Sequence, residues 1–168
     1  MMYRGPFKYK IELSGGANKR KIIKKTIEGK TVNFSSPVTD KNLPKLYVLS
    51  IEKEIVYMGY TSQSVSSRLY YGLRANGKNG YHGYHGYKWK QQQELSLDVF
   101  VFQDFFGKDA KENIMYYQFI EAIEAELVYL VRHKTGKWPK FQNEIHFHNE
   151  KLKTAKEKAL EMYNLLIR

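Results

Sequence analysis

The chain contains no cysteine. That absence excludes disulfides, thiolate metal sites and cysteine nucleophiles, and it fits a protein kept in the cytoplasm. Long apolar runs are missing too: no stretch approaches the about 20 apolar residues that a membrane span requires. The start, MMYRGPFKYKIEL, alternates apolar and charged residues where a secretory signal would be uniformly apolar. No membrane partner is expected. Acidic residues are the scarcer charge, with Asp+Glu 17 against Lys+Arg 28 and a net charge of +11. The imbalance points to a polyanionic partner, DNA first with RNA also open, and to an affinity that falls steeply as salt rises. What the chain has in plenty is core-forming and stacking material. Its 168 residues are 42% hydrophobic, enough for one domain with a real core, and include 14 tyrosines, 9 phenylalanines and 2 tryptophans.

The most informative segment is LYVLSIEKEIVYMGYTSQSVSSR, Leu46 to Arg68. Leu46, Val48 and Ser50 alternate with Tyr47, Leu49 and Ile51, and Glu52-Lys53-Glu54 interrupts the run before Ile55-Val56-Tyr57-Met58. A β-hairpin follows from that pattern. Side chains two apart on a strand share a face and meet their cross-strand neighbours, so the phenols of Tyr47 and Tyr57 converge. Gly59 lets the chain turn. Thr61, Ser62 or Ser64 then caps a helix predicted from about Val65 to Leu73, which delivers Arg68 beside the two phenols.

These residues resemble the GIY-YIG nuclease domain. Leu46-Tyr47-Val48 after Lys45 stands where that family has Gly-Ile-Tyr, Tyr57-Met58-Gly59 stands for Tyr-Ile-Gly, and Arg68 follows the second tyrosine by eleven residues. The chain departs from the family at Lys45, at Leu46, and at Tyr60, where some relatives carry a lysine. The resemblance spans about residues 45 to 143 and implies a later helix bearing a metal-binding glutamate. The stretch FIEAIEAELVYLVRHKTG supplies such a helix, with Ile120, Ile123, Leu127, Leu130 and Val131 as its buried stripe and Gly136 as its stop. Glu124, flanked by Ile123 and by Leu127-Val128, best matches the family pattern, and Glu126 is the alternative register. Without the family order, each of these carboxylates and Glu121 would read as a solvated surface charge.

Elsewhere the signals are of mixed kind. Phe7, Tyr9, Ile11 and Leu13 alternate with charged residues as a half-buried strand, and Ser14-Gly15-Gly16 ends it. NKRKIIKKTIEGK, 18 to 30, reads equally as a phosphate-contacting arm, through Lys24 and Lys25, and as a solvated strand or helix face. RANGKNGYHGYHGYKWKQQQ reads as a long loop mixing Lys78, Lys88 and Lys90 with tyrosines and a tryptophan. Within it His82 and His85 are candidates to assist proton transfer, as is Tyr71, one turn beyond Arg68. Leu95 to Phe102 reads as a third, central strand and 103 to 113 as a linker. Pro139, Phe141 and Asn143 resemble the family's closing element, with Gln142 as a substitute for Asn143. His146-x-His148 alone is a weak zinc signal and reads as structural. Glu150 to Arg168 is a helix with a stripe of Leu152, Ala155, Ala159, Tyr163 and Leu166.

Together these readings predict an α/β (α+β) domain. It has a small three-stranded, mainly antiparallel sheet flanked by helices, a basic N-terminal extension at 1–44, a nuclease-like domain at 45–148 and a C-terminal helix at 149–168. The resemblance implies a metal-dependent endonuclease acting on DNA with one Mg²⁺ or Mn²⁺. Tyr47 would be the general base, directly or through His82 or His85; Tyr57 would orient the phosphate or water, Arg68 clamp the phosphate and Glu124 hold the ion. Lys24, Lys25, Lys78, Lys88 and Asn143 would bind substrate. The alternative is an inactive nucleic-acid-binding module on the same scaffold. Oligomeric state, monomer or homodimer, is open.

Overall fold

The computed structural model describes residues 3–16, 19–41, 43–75, 93–103, 110–148 and 152–168. Six strands lie in one antiparallel sheet: β1 (Tyr3–Ser14), β2 (Lys21–Ile27), β3 (Lys30–Thr31), β4 (Lys45–Ile51), β5 (Glu54–Thr61) and β6 (Glu94–Phe102), in spatial order β3-β2-β1-β6-β4-β5. Three helices complete the described architecture: α1 (Val65–Arg74), α2 (Ala110–Thr135) and α3 (Leu152–Leu166).

The class is α+β, as the pattern predicts, but the sheet has six strands where three were expected. The extra strands come from residues 1–44. β1 pairs with β6 from Tyr3↔Phe102 to Glu12↔Glu94, and β2 and β3 continue outward from it. The alternation in β1 announces a strand with one buried face, yet nothing local to it names its neighbour. The predicted linker is also shorter, because α2 already begins at Ala110.

The hairpin forms as expected. Ile51 opposes Glu54 across a two-residue loop in which Glu52 and Lys53 take φ of 48° and 72°, the doubly positive geometry whose twist matches that of the strands. β4 is buried on both faces, which is why its sequence runs apolar from Leu46 to Leu49. On one side Tyr9, Ile11, Tyr47, Leu49, Leu97 and Val99 pack against Val65, Leu69 and Leu73 of α1. On the other, Leu46, Val48, Met58, Phe100 and Phe102 pack against α2 and α3, with Ile120, Ile123, Leu127, Ala155 and Met162 at the contact. The sheet is thus the middle of three layers. β5, at its end, has one open edge, and that edge is where the layers above and below can meet.

No helix among the described residues is long and apolar enough to cross a membrane.

Candidate functional site

Tyr47 on β4 lies directly opposite Gly59 on β5, while Tyr57 opposes Leu49. The two tyrosines are therefore diagonal neighbours on one face, and their rings stack with centroids 6.1 Å apart and planes inclined by 28°. Gly59 makes this possible. A Cβ there would lie 2.4 Å from the Tyr47 hydroxyl and 2.8 Å from its ring carbon, well inside contact distance. Glycine is thus required by the phenol across from it, not by backbone conformation.

Ser64 caps α1: its hydroxyl accepts the Ser67 backbone N–H at 3.2 Å and donates to the Ser67 hydroxyl at 2.9 Å. The cap fixes where the helix begins and therefore where Arg68 points. Lys45, standing where the resembling family has glycine, locks the same region. Its side chain is completely buried, and Nζ donates to the carbonyls of Asp40 at 2.5 Å, Leu43 at 2.6 Å and Gln63 at 3.1 Å. Burial pushes its pKa down to about 8, and the charge of Asp40 opposes that shift. The departure from glycine is accommodated as a staple between the loop before β4 and the loop that leads into α1.

The open edge of β5 presents the backbone N–H groups of Met58 and Tyr60. Gln142 Oε1 accepts the first at 3.1 Å, while the Phe141 N–H donates to the Val56 carbonyl at 2.8 Å. The Tyr60 N–H goes to the carboxyl of Glu124 on α2. Edge capping of this kind blunts a strand that would otherwise pair with another chain. It also carries a carboxyl from the α2 layer round to the phenols and guanidinium of the α1 layer.

The result is a cavity of about 330 Å³ lined by Tyr57, Gly59, Arg68, Glu121, Glu124 and His146, together with Tyr60 to Gln63 and Glu144. Its electrostatics follow from burial. Glu124 is pushed up to about 8, chiefly by desolvation, with Glu121 adding to the shift and the Tyr60 N–H and Arg68 opposing it. Tyr57 is raised well above the ordinary phenol range by desolvation first, then by the neighbouring Tyr47 and Glu124, and Arg68 offsets only part of this. Tyr57 is therefore a neutral hydroxyl at any working pH.

Tyr57, Arg68 and Glu124 come together as the sequence order predicts. Tyr47 does not reach the cavity wall: it is 0% exposed and lies behind Tyr57. Its hydroxyl lies against Gly59, which does line the cavity. Glu126, on the same helix as Glu124, is not among the lining residues. Tyr71 is 65% exposed with its ring edge-on to Tyr70, outside the cavity. The Asn143 side chain turns back to donate to the Phe141 carbonyl at 2.7 Å, and Gln142 takes the strand-edge position instead. Lys24 bonds to Glu12 at 2.9 Å and Lys25 sits 5.5 Å from the Phe34 ring centroid, both on β2 and away from the cavity. His82, His85, Lys78 and Lys88 lie outside the described residues.

Sequence reasoning gave Glu121, Glu144 and His146 no place in the cavity. Glu121 was within reach of a helical argument, since it precedes Glu124 by three residues and so shares its face. Glu144 and His146 had no such signal, because the return of residues 142–148 along β5 is a tertiary contact. His148 holds the far end of that strap, with Nε2 2.8 Å from Glu121 Oε2.

Among the described residues, no group of three or more His, Asp or Glu side chains forms a ready-made metal cage. Glu124 nevertheless fits as the single protein ligand of a hard cation. It is an oxygen donor, its anionic form is destabilised by burial, and a cation beside it would relieve that penalty.

Comparison of the chain with family models, with curated proteins and with solved structures finds no match.

Proposed function

We propose that this protein is a metal-dependent endonuclease that hydrolyses phosphodiester bonds in DNA. The observation that carries the reading is the convergence of Tyr57, Arg68 and Glu124, from three different elements, on one cavity at the edge of β5. Hydrolysis of a phosphodiester needs a charge complement for the phosphoryl oxygens, an oriented water and support for the leaving oxygen. Arg68 is permanently cationic and binds the scissile phosphate through charge-assisted hydrogen bonds. Tyr57, held neutral by burial, offers its hydroxyl to a phosphate oxygen or to the water. Tyr47 supports Tyr57 from behind by stacking. Glu124 would hold Mg²⁺ or Mn²⁺, which when bound would supply Lewis-acid stabilisation of the phosphate and of the leaving oxygen. The net charge of +11 favours capture of the polyanion.

The test is Mg²⁺-dependent nicking of supercoiled plasmid by the full chain, with chelator as control. Glu124→Gln keeps the size and helix propensity of the side chain and leaves an amide oxygen for the Tyr60 N–H. DNA binding measured in chelator should be retained, because removing a carboxylate near phosphate cannot by itself weaken attraction to a polyanion. Nicking should fall by about two orders of magnitude or more. Glu126→Gln should cut like wild type; loss of activity only at Glu126 would shift the site by two residues along α2.

One observation favours the inactive module as a second reading. Glu124 already has structural work in accepting the Tyr60 N–H. Binding without any cleavage of duplex, branched or single-stranded DNA in Mg²⁺ or Mn²⁺ would establish that alternative.

A further inference from the structure

We infer that His146 is the group that takes the proton from the attacking water in this cavity, an inference that rests on the endonuclease reading and extends it. The argument begins with what the cavity holds. Of the side chains that meet there, Arg68 cannot accept a proton, Tyr57 is a neutral phenol, Glu121 is bonded to His148, and Glu124 accepts the Tyr60 N–H and is the proposed cation ligand, which leaves His146 and the carboxylate of Glu144. Tyr47 has no exposed surface. Imidazole is the side-chain type whose ordinary proton affinity lies near neutral pH, which suits a general base.

Position supports the same assignment. Residues 142–148 have no regular secondary structure, yet they are fixed at both ends. Gln142 accepts the Met58 N–H at 3.1 Å and donates to the Glu144 carbonyl at 2.9 Å, and His148 meets Glu121 at 2.8 Å. His146 lies between these anchors and is presented into the cavity, with its side chain 64% exposed and open to water. Its Nε2 is 3.9 Å from Glu144 Oε2 on the same strap.

In the step itself, one O–H bond of the water breaks and its proton passes to His146. The water oxygen forms the new bond to phosphorus, and the bond from phosphorus to the 3′ oxygen breaks. The electron pair stays on that oxygen, which takes a proton from solvent water, and His146 later returns its own proton to solvent.

The titratable and charged groups that line the cavity with His146 are Glu144 on its own strap, Glu121 and Glu124 from α2, Arg68 from α1, and Tyr57 and Tyr60 from β5. Of these, Glu124 also titrates, and its limb in a rate profile moves with Mg²⁺ concentration. The experiment is therefore the single-turnover rate of plasmid nicking against pH at saturating Mg²⁺. Wild type is compared with His146→Ala, His146→Gln, His148→Ala and the paired His82→Ala, His85→Ala variant, with thermal melts to verify folding.

For both His146 variants we expect unchanged DNA binding, a rate lower by about a hundredfold or more, and loss of the acidic limb. Added imidazole should restore part of the rate in His146→Ala. His148→Ala should keep the limb. The inference is overturned if wild type cuts and folded His146→Ala cuts at the same rate with the same limb, or if the limb disappears instead in the His82, His85 variant. A wild type that cuts no substrate removes the endonuclease reading itself, and this one with it.

Discussion

Glu124 carries two demands that conflict near neutral pH. The strand edge needs a hydrogen-bond acceptor for the Tyr60 N–H, and a cation site needs an anion, but burial pushes this carboxyl up to about 8. A folded-state pKa above the ordinary value of 4.5 means that the folded protein binds more protons than the unfolded chain between about 4.5 and about 8. Stability therefore falls as pH rises through that window, and the contribution is lost once pH passes the folded value. Glu124→Gln removes the titration. Its melting temperature relative to wild type should rise steadily across the same window in chelator. Mg²⁺ at pH 8 should raise the wild-type melting temperature and leave that of the variant unmoved, which reports binding of the ion without any need for cleavage. A flat difference across pH would mean that the carboxyl is not desolvated. At this scale the sequence was legible where a residue's role is set by a partner a fixed distance along a known element. The diagonal pair Tyr47 and Tyr57, and Arg68 within the first turns of α1, are of that kind, whereas Gly59, expected to turn the chain, lies inside β5 and is there to clear the Tyr47 phenol. It was not legible for Lys45, whose three carbonyl partners sit in two separate loops.

At the scale of elements, the β4–β5 hairpin shows what local pattern determines and what it leaves out. Alternation on both sides of Glu52-Lys53 predicts two strands and their pairing, and the serine cap predicts α1 to within a residue of Val65–Arg74. β6 at Glu94–Phe102 is likewise written in its β-branched and aromatic residues. What no local pattern states is that β1 inserts its edge against β6, since a strand's buried face is encoded in its alternation but its neighbour is not. The turn itself is less than ideal. Lys53 holds φ at 72°, where only glycine avoids the steric cost of a Cβ. Lys53→Gly should stabilise the protein by about 0.5–1 kcal/mol, part of the relief being offset by the freer unfolded chain. Urea titration would show this as a higher midpoint at unchanged slope. Nicking should not change, because the turn is at the opposite end of the hairpin from Gly59. A lower midpoint would mean that the Lys53 side chain holds the turn by contacts that outweigh its backbone cost.

Across the whole molecule, the six-stranded sheet converts what the sequence presented as a basic arm into one end of a rigid platform. β2 lies four strand spacings from β5, roughly 19 Å at the usual interstrand distance, and half a turn of duplex DNA covers a similar length. A duplex with its scissile phosphate on Arg68 can therefore reach β2, but only along the face that carries α1, which itself touches β2. The two lysines singled out by the sequence are on different faces. Lys25 opposes Ile11, whose side chain belongs to the core under α1, and Lys24 opposes Glu12 on the reverse side and is bonded to it at 2.9 Å. Neutralising a lysine that contacts phosphate lowers the slope of log affinity against log salt by about 0.9. Lys25→Gln should show a drop of that size and weaken binding similarly for all sequences. Lys24→Gln should change the slope much less, since its charge is balanced by Glu12 and faces away. Fluorescence anisotropy of a labelled duplex across a salt series would measure both. Equal drops would mean that DNA wraps the sheet edge and touches both faces, and no drop in either variant would leave β2 as a purely structural extension of the sheet.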